Sequence, residues 1–356
     1  MRPALKPGLL PVWRNRDTIQ IGIDPRRAIA LTGMRRAAGL LRLLDGSRDR
    51  MQVLEAARDL GMDPEMADRV LSLLAAGEAL DDIPASTYDT LSAALRARLA
   101  PELATASLAH GDADGGARTL ARRQAACVRV HGASRAGLWI AALLTSAGIG
   151  LVISSGPARA QRGRANRPAT PEPPPGPEPP PGPELPAGLT GTGAPNPSPP
   201  AGHSAGRSAA PRTRPRRPSL VILADSHRRD LPAALSREQV PHLAASASEA
   251  IGVVGPFVLP GRSACLRCLD LTRAERDPAW PLILAQLAGH AGADPPACDA
   301  VLAAMVAAQA TAQALAFIDR GPAAVAVIGG TLELVLPDWQ WRRRTWQPHH
   351  ECGCRP

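Results

Sequence analysis

Aromatic residues are nearly absent: the chain has one tyrosine, two phenylalanines and six tryptophans in 356 residues. A sequence so poor in rings cannot line a single-stranded nucleic-acid groove with stacking platforms. A secretory signal is missing as well, because the opening MRPALKPGLLPVWRNRD breaks its short apolar run with prolines and charges. The cytoplasm is therefore the expected compartment. Cysteine is scarce, and four of the six cysteines cluster as CxxC and CxC, a pattern of metal ligands in a reducing compartment and not of a disulfide framework. One long uncharged run, residues 136–154, AGLWIAALLTSAGIGLVIS, is near the length of a membrane span. Gly148 and Gly150 divide that run into a buried helix, a turn and a buried strand, so no membrane partner is expected.

What is present points to folded domains. A hydrophobic content of 45% supplies real cores and excludes disorder throughout. The net charge of +9 is mostly local: residues 156–218 hold nine arginines against three glutamates, leaving the remainder close to neutral. No nucleic-acid partner is expected. Residues 157–218 also contain 19 of the 38 prolines, densest in PEPPPGPEPPPGPELP, and read as a disordered, extended insertion inside a domain.

Two β-branched and aliphatic runs, 18–22 and 27–32, flank the turn signal Ile23-Asp24-Pro25-Arg26 and predict a hairpin. Helices are expected at 34–44, 49–60 and 64–76, the last with Asp63 as N-cap and Pro64 at the first helical position. Hairpin plus three helices is a small winged-helix-like α+β domain over residues 1–85. A helical connector follows over 86–120, broken at Pro101. From there the pattern becomes strand, glycine turn, helix, strand, the opening of an α/β Rossmann-type domain over 121–356. Further strands are expected at 220–224, 242–246 and 250–254, an alanine-rich helix at 296–320, and a hairpin of 324–328 with 331–336.

Four residues carry the most specific chemistry. Cys265 and Cys268 in CLRC, with Cys352 and Cys354 in CGC, give two soft-ligand hooks that close a tetrahedral structural zinc site and tie the tail to the middle of the domain. Four thiolates leave no open position, so a hydrolytic centre is not expected. Cys127 and Cys298 read as small buried hydrophobes, and His131 and His242 as structural. Trp339, Trp341 and Trp346 around Arg342, Arg343 and Arg344 suit packing over the metal site. The turn HGASRAG is a degenerate nucleotide fingerprint: Gly132 and Gly137 stand in place, while Ser134 replaces the glycine that lets a phosphate approach the backbone. No acidic ribose ligand follows Ile153, and Asp225 is left as a candidate Mg²⁺ contact.

The segments VRVHGASRAGLWIAALLTSAGIGLV, GPFVLPGRSACLRCLDLTRAERDPAWP and WQPHHECGC together resemble actinobacterial members of the ThiF/MoeB/HesA superfamily. More narrowly they resemble the cyclodehydratase partner, or leader-peptide-binding, proteins of thiazole/oxazole-modified peptide (TOMM) biosynthesis. LLRLLDGSRDRMQVLEAARDLG and the helix ending LLAAGEAL are similar to a PqqD-like peptide recognition element. The resemblance implies a ThiF-like Rossmann-type domain with a zinc knuckle behind that element, and a leader peptide bound as an added strand beside Thr18, Ile19, Gln20, Ile21, Ile29 and Leu31. It implies a non-catalytic scaffold delivering precursor peptide to a YcaO-type cyclodehydratase in azoline bacteriocin biosynthesis. A homodimer is a further implied partner. Active superfamily members adenylate carboxylates with ATP, but the altered glycine turn and missing acid argue against ATP as a cofactor here. An adenylating enzyme and a zinc-stabilised interaction protein outside any such pathway remain the alternatives.

Overall fold

The computed structural model describes residues 1–35, 38–83, 88, 91–154, 217–224, 230–289 and 297–354. Nearly all of the proline-rich stretch and Asp225 lie outside them.

At the N-terminus, β1 (Pro3–Leu5) pairs antiparallel with β5 (Leu80–Asp82). Between them, β2 (Pro11–Trp13), β3 (Ile19–Ile21) and β4 (Ile29–Leu31) form an antiparallel sheet with β3 in the middle. The expected hairpin is β3 with β4, and β2 is an addition that its three exposed residues did not announce. Helices α1 (Ala38–Leu41), α2 (Arg50–Asp59) and α3 (Pro64–Ala76) cover the sheet. Each well-formed helix starts for a local reason. Asp49 and Gln52 make a reciprocal capping box on α2, and the Asp63 carboxylate accepts the Met66 N–H at the start of α3. Ile19, Ile21, Leu31, Val53, Leu71 and Leu74 then meet in one buried core.

The connector is one continuous helix, α4 (Ala93–His110), and the break expected at Pro101 does not occur. Pro101 lies on the exposed side, where the helix gives up a single backbone hydrogen bond. After α5 (Ala117–Ala125) come β6 (Cys127–His131), α6 (Arg135–Ser146) and β7 (Leu151–Ser154), so residues 136–154 resolve into helix, turn and strand, but the strand expected to be buried lies at the sheet edge with Leu151 and Ile153 exposed. The rest of the domain comprises β8 (Leu220–Leu223), α7 (Asp230–Arg237), β9 (His242–Ser248), β10 (Ile251–Val258), α8 (Leu266–Arg276), α9 (Trp280–Gly289), α10 (Ala300–Arg320), β11 (Gly330–Val335) and β12 (Trp341–Thr345).

These strands form one mixed sheet in the order β12-β11-β10-β9-β8-β6-β7, parallel from β7 to β9 and antiparallel beyond. The expected strand at 324–328 is instead a 3-10 turn, Pro322–Ala324, and a single bridge from Ile328 to Phe257. β11 pairs instead with the tail strand β12. One sheet face carries α6 and α10 around Val128, Val130, Ile140, Leu243, Val306 and Ala310. By length and composition α10 would cross a membrane, but Leu302, Val306 and Ala310 are wholly buried against the sheet, so it is a core helix. The other face carries α7 and α8, with separate small cores at Leu235 and at the cysteines.

A buried ionic joint fastens α4 to α5 and α10. Arg123 is 7% exposed and forks onto Asp319 (3% exposed) at 2.7 and 3.0 Å, while its other arm reaches Glu102 at 2.9 Å and the Ala147 carbonyl at 3.0 Å.

Candidate metal centre, glycine turn and open strand edge

β10 ends at Val258, and the Leu259 amide is held by the Ser263 hydroxyl at 2.9 Å, a turn that delivers Cys265 to the start of α8. Cys265 is the N-cap residue and Cys268 lies in the first turn, so both thiols project from one helix end. The tail returns Cys352 and Cys354 to the same place. The Cys265–Cys268, Cys265–Cys352 and Cys268–Cys354 sulfur separations are 3.8, 3.5 and 3.4 Å. Tetrahedral thiolates about 2.3 Å from a zinc ion stand roughly 3.8 Å apart, so the four sulfurs fit that ion.

Charge makes the same demand. Burial raises the Cys352 thiol well above its ordinary value and pushes Cys354 up to about 11, with Cys265 and Cys268 adding to both shifts. Burial also opposes ionisation of Cys268, but backbone N–H donors near His349 and Cys265 outweigh it and leave that thiol lowered. Four thiolates this close need a cation among them. The tail is braced nearby: His349 hydrogen-bonds Glu275 at 2.8 Å, and its other ring nitrogen accepts the Glu351 N–H at 3.1 Å. Trp346 is buried in the cysteine core, donates to Thr331 at 3.0 Å and carries the Arg344 guanidinium over its ring at 4.5 Å. Trp341 instead packs at the edge of the main core, and Trp339 is exposed.

The structure places Gly132, Ser134 and Gly137 together at the β6–α6 turn. Gly132 has φ 119°, a conformation L residues with side chains avoid. A Cβ on Gly137 would stand 2.9 Å from the Ala224 Cβ and 3.0 Å from the Gly132 oxygen, so this glycine serves close helix–strand packing. Ser134 caps α6: its hydroxyl accepts from the Gly137 N–H at 3.1 Å and donates to the Ala224 carbonyl at 3.0 Å. It therefore occupies the donor that a phosphate would use. Asp225 lies outside the described residues.

In the small sheet, the side chains of Ile19, Ile21 and Leu31 belong to the core, and Gln20 sits in the central strand. Gly22 donates to Leu10 and Arg14 to Thr18, which turns the Gln20 backbone toward β2 and those of Ile19 and Ile21 toward β4. Ile29 and Leu31 therefore face β3, and the N–H and C=O of exposed Ala30 point out from an edge with no neighbouring strand among the described residues. Sequence reasoning treated both hairpin strands alike; β2 makes β3 central and leaves β4 open.

No protein-family model matches the chain, and no curated protein does. Solved structures do match. A heterocyclase in complex with substrate and cofactor aligns at TM-score 0.58 and 14% identity, covering 97% of this chain and 38% of that one. The heterocyclase TruD aligns at 0.58 and 16% identity, covering 99% and 42%. E. coli MccB with ATP aligns at 0.57 and 11% identity, covering 100% of both chains. The chain thus spans about two fifths of the heterocyclases and the whole of MccB. At these identities the likeness shows a shared α/β fold and nothing of the activity.

Proposed function

We propose that this chain is a non-catalytic, leader-peptide-binding subunit of azoline-forming peptide biosynthesis. It captures a precursor peptide on the free edge of β4 and presents it to a separate YcaO-type cyclodehydratase, which forms the rings. The observation that carries this reading is the outward backbone of Ala30 on the edge of β4 that has no neighbouring strand among the described residues. Main-chain pairing there supplies affinity, while side-chain pockets beside the strand supply selectivity. A fold shared with a heterocyclase and with MccB supports a place in peptide modification.

In this reading residues 1–85 are the recognition module, 86–120 the connector and 121–356 the ThiF-like platform, acting in the cytoplasm. Cys265, Cys268, Cys352 and Cys354 would hold a structural zinc that fixes the tail, closed to substrate. The platform contributes effective concentration: a tethered precursor meets its enzyme at a local level set by the linker and not by its bulk level.

One observation favours a second reading. The chain matches MccB over the full length of both, so an ATP-dependent adenylating enzyme of the ThiF/MoeB type is the alternative. It requires ATP to displace Ser134 from the Gly137 N–H.

Reconstitution decides between them. The chain, a YcaO-type enzyme encoded beside it, ATP and a precursor should give loss of one water mass per ring, faster with the chain than without. Ala30→Pro should abolish that stimulation by removing the outward N–H. Equal ring formation without the chain would sink the scaffold reading, and ATP–pyrophosphate exchange by the chain alone would establish the second.

A further inference from the structure

At the N-terminal end of β4 the turn before it, the end of α3 and the end of α4 enclose a cavity of about 540 Å³. Its polar lining is Lys6, Arg26, Arg27, His110 and one carboxylate, Glu78. Three of the basic groups already have carboxylate partners, His110 facing Asp319 at 3.7 Å. Lys6, 2% exposed, donates to the Ser107 carbonyl at 2.9 Å and lies 3.8 Å from Asp81. Arg26 forks onto Asp24 at 2.7 and 2.9 Å.

Arg27 differs. One arm donates to the Leu108 carbonyl at 2.7 Å, which holds the guanidinium at the cavity; Asp24, already gripped by Arg26, lies within Coulombic reach, but Arg27 makes no direct ion pair among the described residues. A guanidinium held in place with donors to spare is suited to a carboxylate, which it can grip with two parallel hydrogen bonds. Glu78 repels such a ligand, so the carboxylate must approach from the hairpin side, where Arg26 and Arg27 sit.

The cavity's position says what carries that carboxylate. An antiparallel strand added beside Ala30 runs its C-terminal end past Ala28 and Arg27, at about 3.3 Å per residue. We infer that this cavity is an acid-recognition subsite, which takes the Asp or Glu side chain of a bound peptide two to four residues after the position opposite Ala30. The inference rests on the β4-edge reading above and adds a specificity to it: the recognised segment is an extended stretch followed by an acid.

The test is selection of displayed random dodecapeptides on the full chain, on Arg27→Gln, on Arg27→Lys and on Ala30→Pro. Peptides selected by the unaltered chain should share an acidic position. Amidating that acid, or Arg27→Gln, should weaken binding about tenfold or more, the worth of one charge-assisted contact, while Arg27→Lys loses less. Selected peptides without an acidic position, or with affinities indifferent to Arg27→Gln, overturn the subsite; the edge reading survives if Ala30→Pro still abolishes binding. Enrichment of the same peptides by Ala30→Pro, or no enrichment at all, overturns both.

Discussion

Replacing Asp319 by asparagine removes the carboxylate that faces Arg123 inside the joint between α4, α5 and α10. Both partners are almost fully buried, at 3% and 7% exposure, and the guanidinium would keep only Glu102, which is 39% exposed, and the Ala147 carbonyl. Breaking a buried pair from one side costs about 3 kcal/mol, because the remaining charge stays desolvated. For a domain of this size that is a fall in melting temperature of roughly 6–12 °C. The double variant Arg123→Met, Asp319→Leu removes both charges and fills the same space with apolar groups. It should recover most of the loss, leaving a deficit of about 1 kcal/mol or less, since pair attraction and desolvation nearly offset each other. Urea unfolding of the three proteins, with calorimetric melts alongside, measures these differences. An Asp319→Asn protein as stable as the parent, or a double variant no better than the single, would refute the claim that the joint is costly to break from one side.

Cys265→Ser and Cys354→Ser should each lower bound zinc from one ion per chain toward none by elemental mass spectrometry, with a lower melting temperature, since a structural metal contributes folding free energy. His242 is fully buried and burial lowers its pKa below 6.5, so the stability it contributes is present at neutral pH and lost as pH falls below that value. His242→Leu should flatten the decline between about pH 7 and 5 in urea titrations. Gly137→Ala forces a methyl to 2.9 Å from the Ala224 Cβ and should cost about 1–3 kcal/mol by the same unfolding assay, with a cost near zero excluding close packing as the reason for this glycine.

Local chemistry made much of this molecule legible in the sequence. Asp63-Pro64 and Asp49 with Gln52 mark helix starts that depend on neighbours in the chain, and the structure caps both helices there. The two cysteine hooks were equally readable, since ligand type and spacing are sequence properties, and the four sulfurs do converge. Pairing was less legible. The strand expected at 324–328 lost its place to β12, a choice settled by how the tail returns across the sheet. α8 and α9 escaped notice because α8 buries only Cys268 and Leu269, and α9 buries no residue among those described, so neither shows a strong apolar period. Ser134 was read as damage to a phosphate cradle, and its role as a helix cap emerged only with Ala224 placed opposite it.

The two ends of the large sheet are defended unequally. β12 presents Arg342, Arg343 and Arg344 to solvent; Asp338 offsets Arg342 at 2.6 Å, and the other two guanidiniums leave that border positive against a second copy of itself. β7, at the other border, is uncharged and leaves Leu151 and Ile153 exposed at 39% and 36%. Among the described residues β7 is thus the border at which self-association is expected as concentration rises.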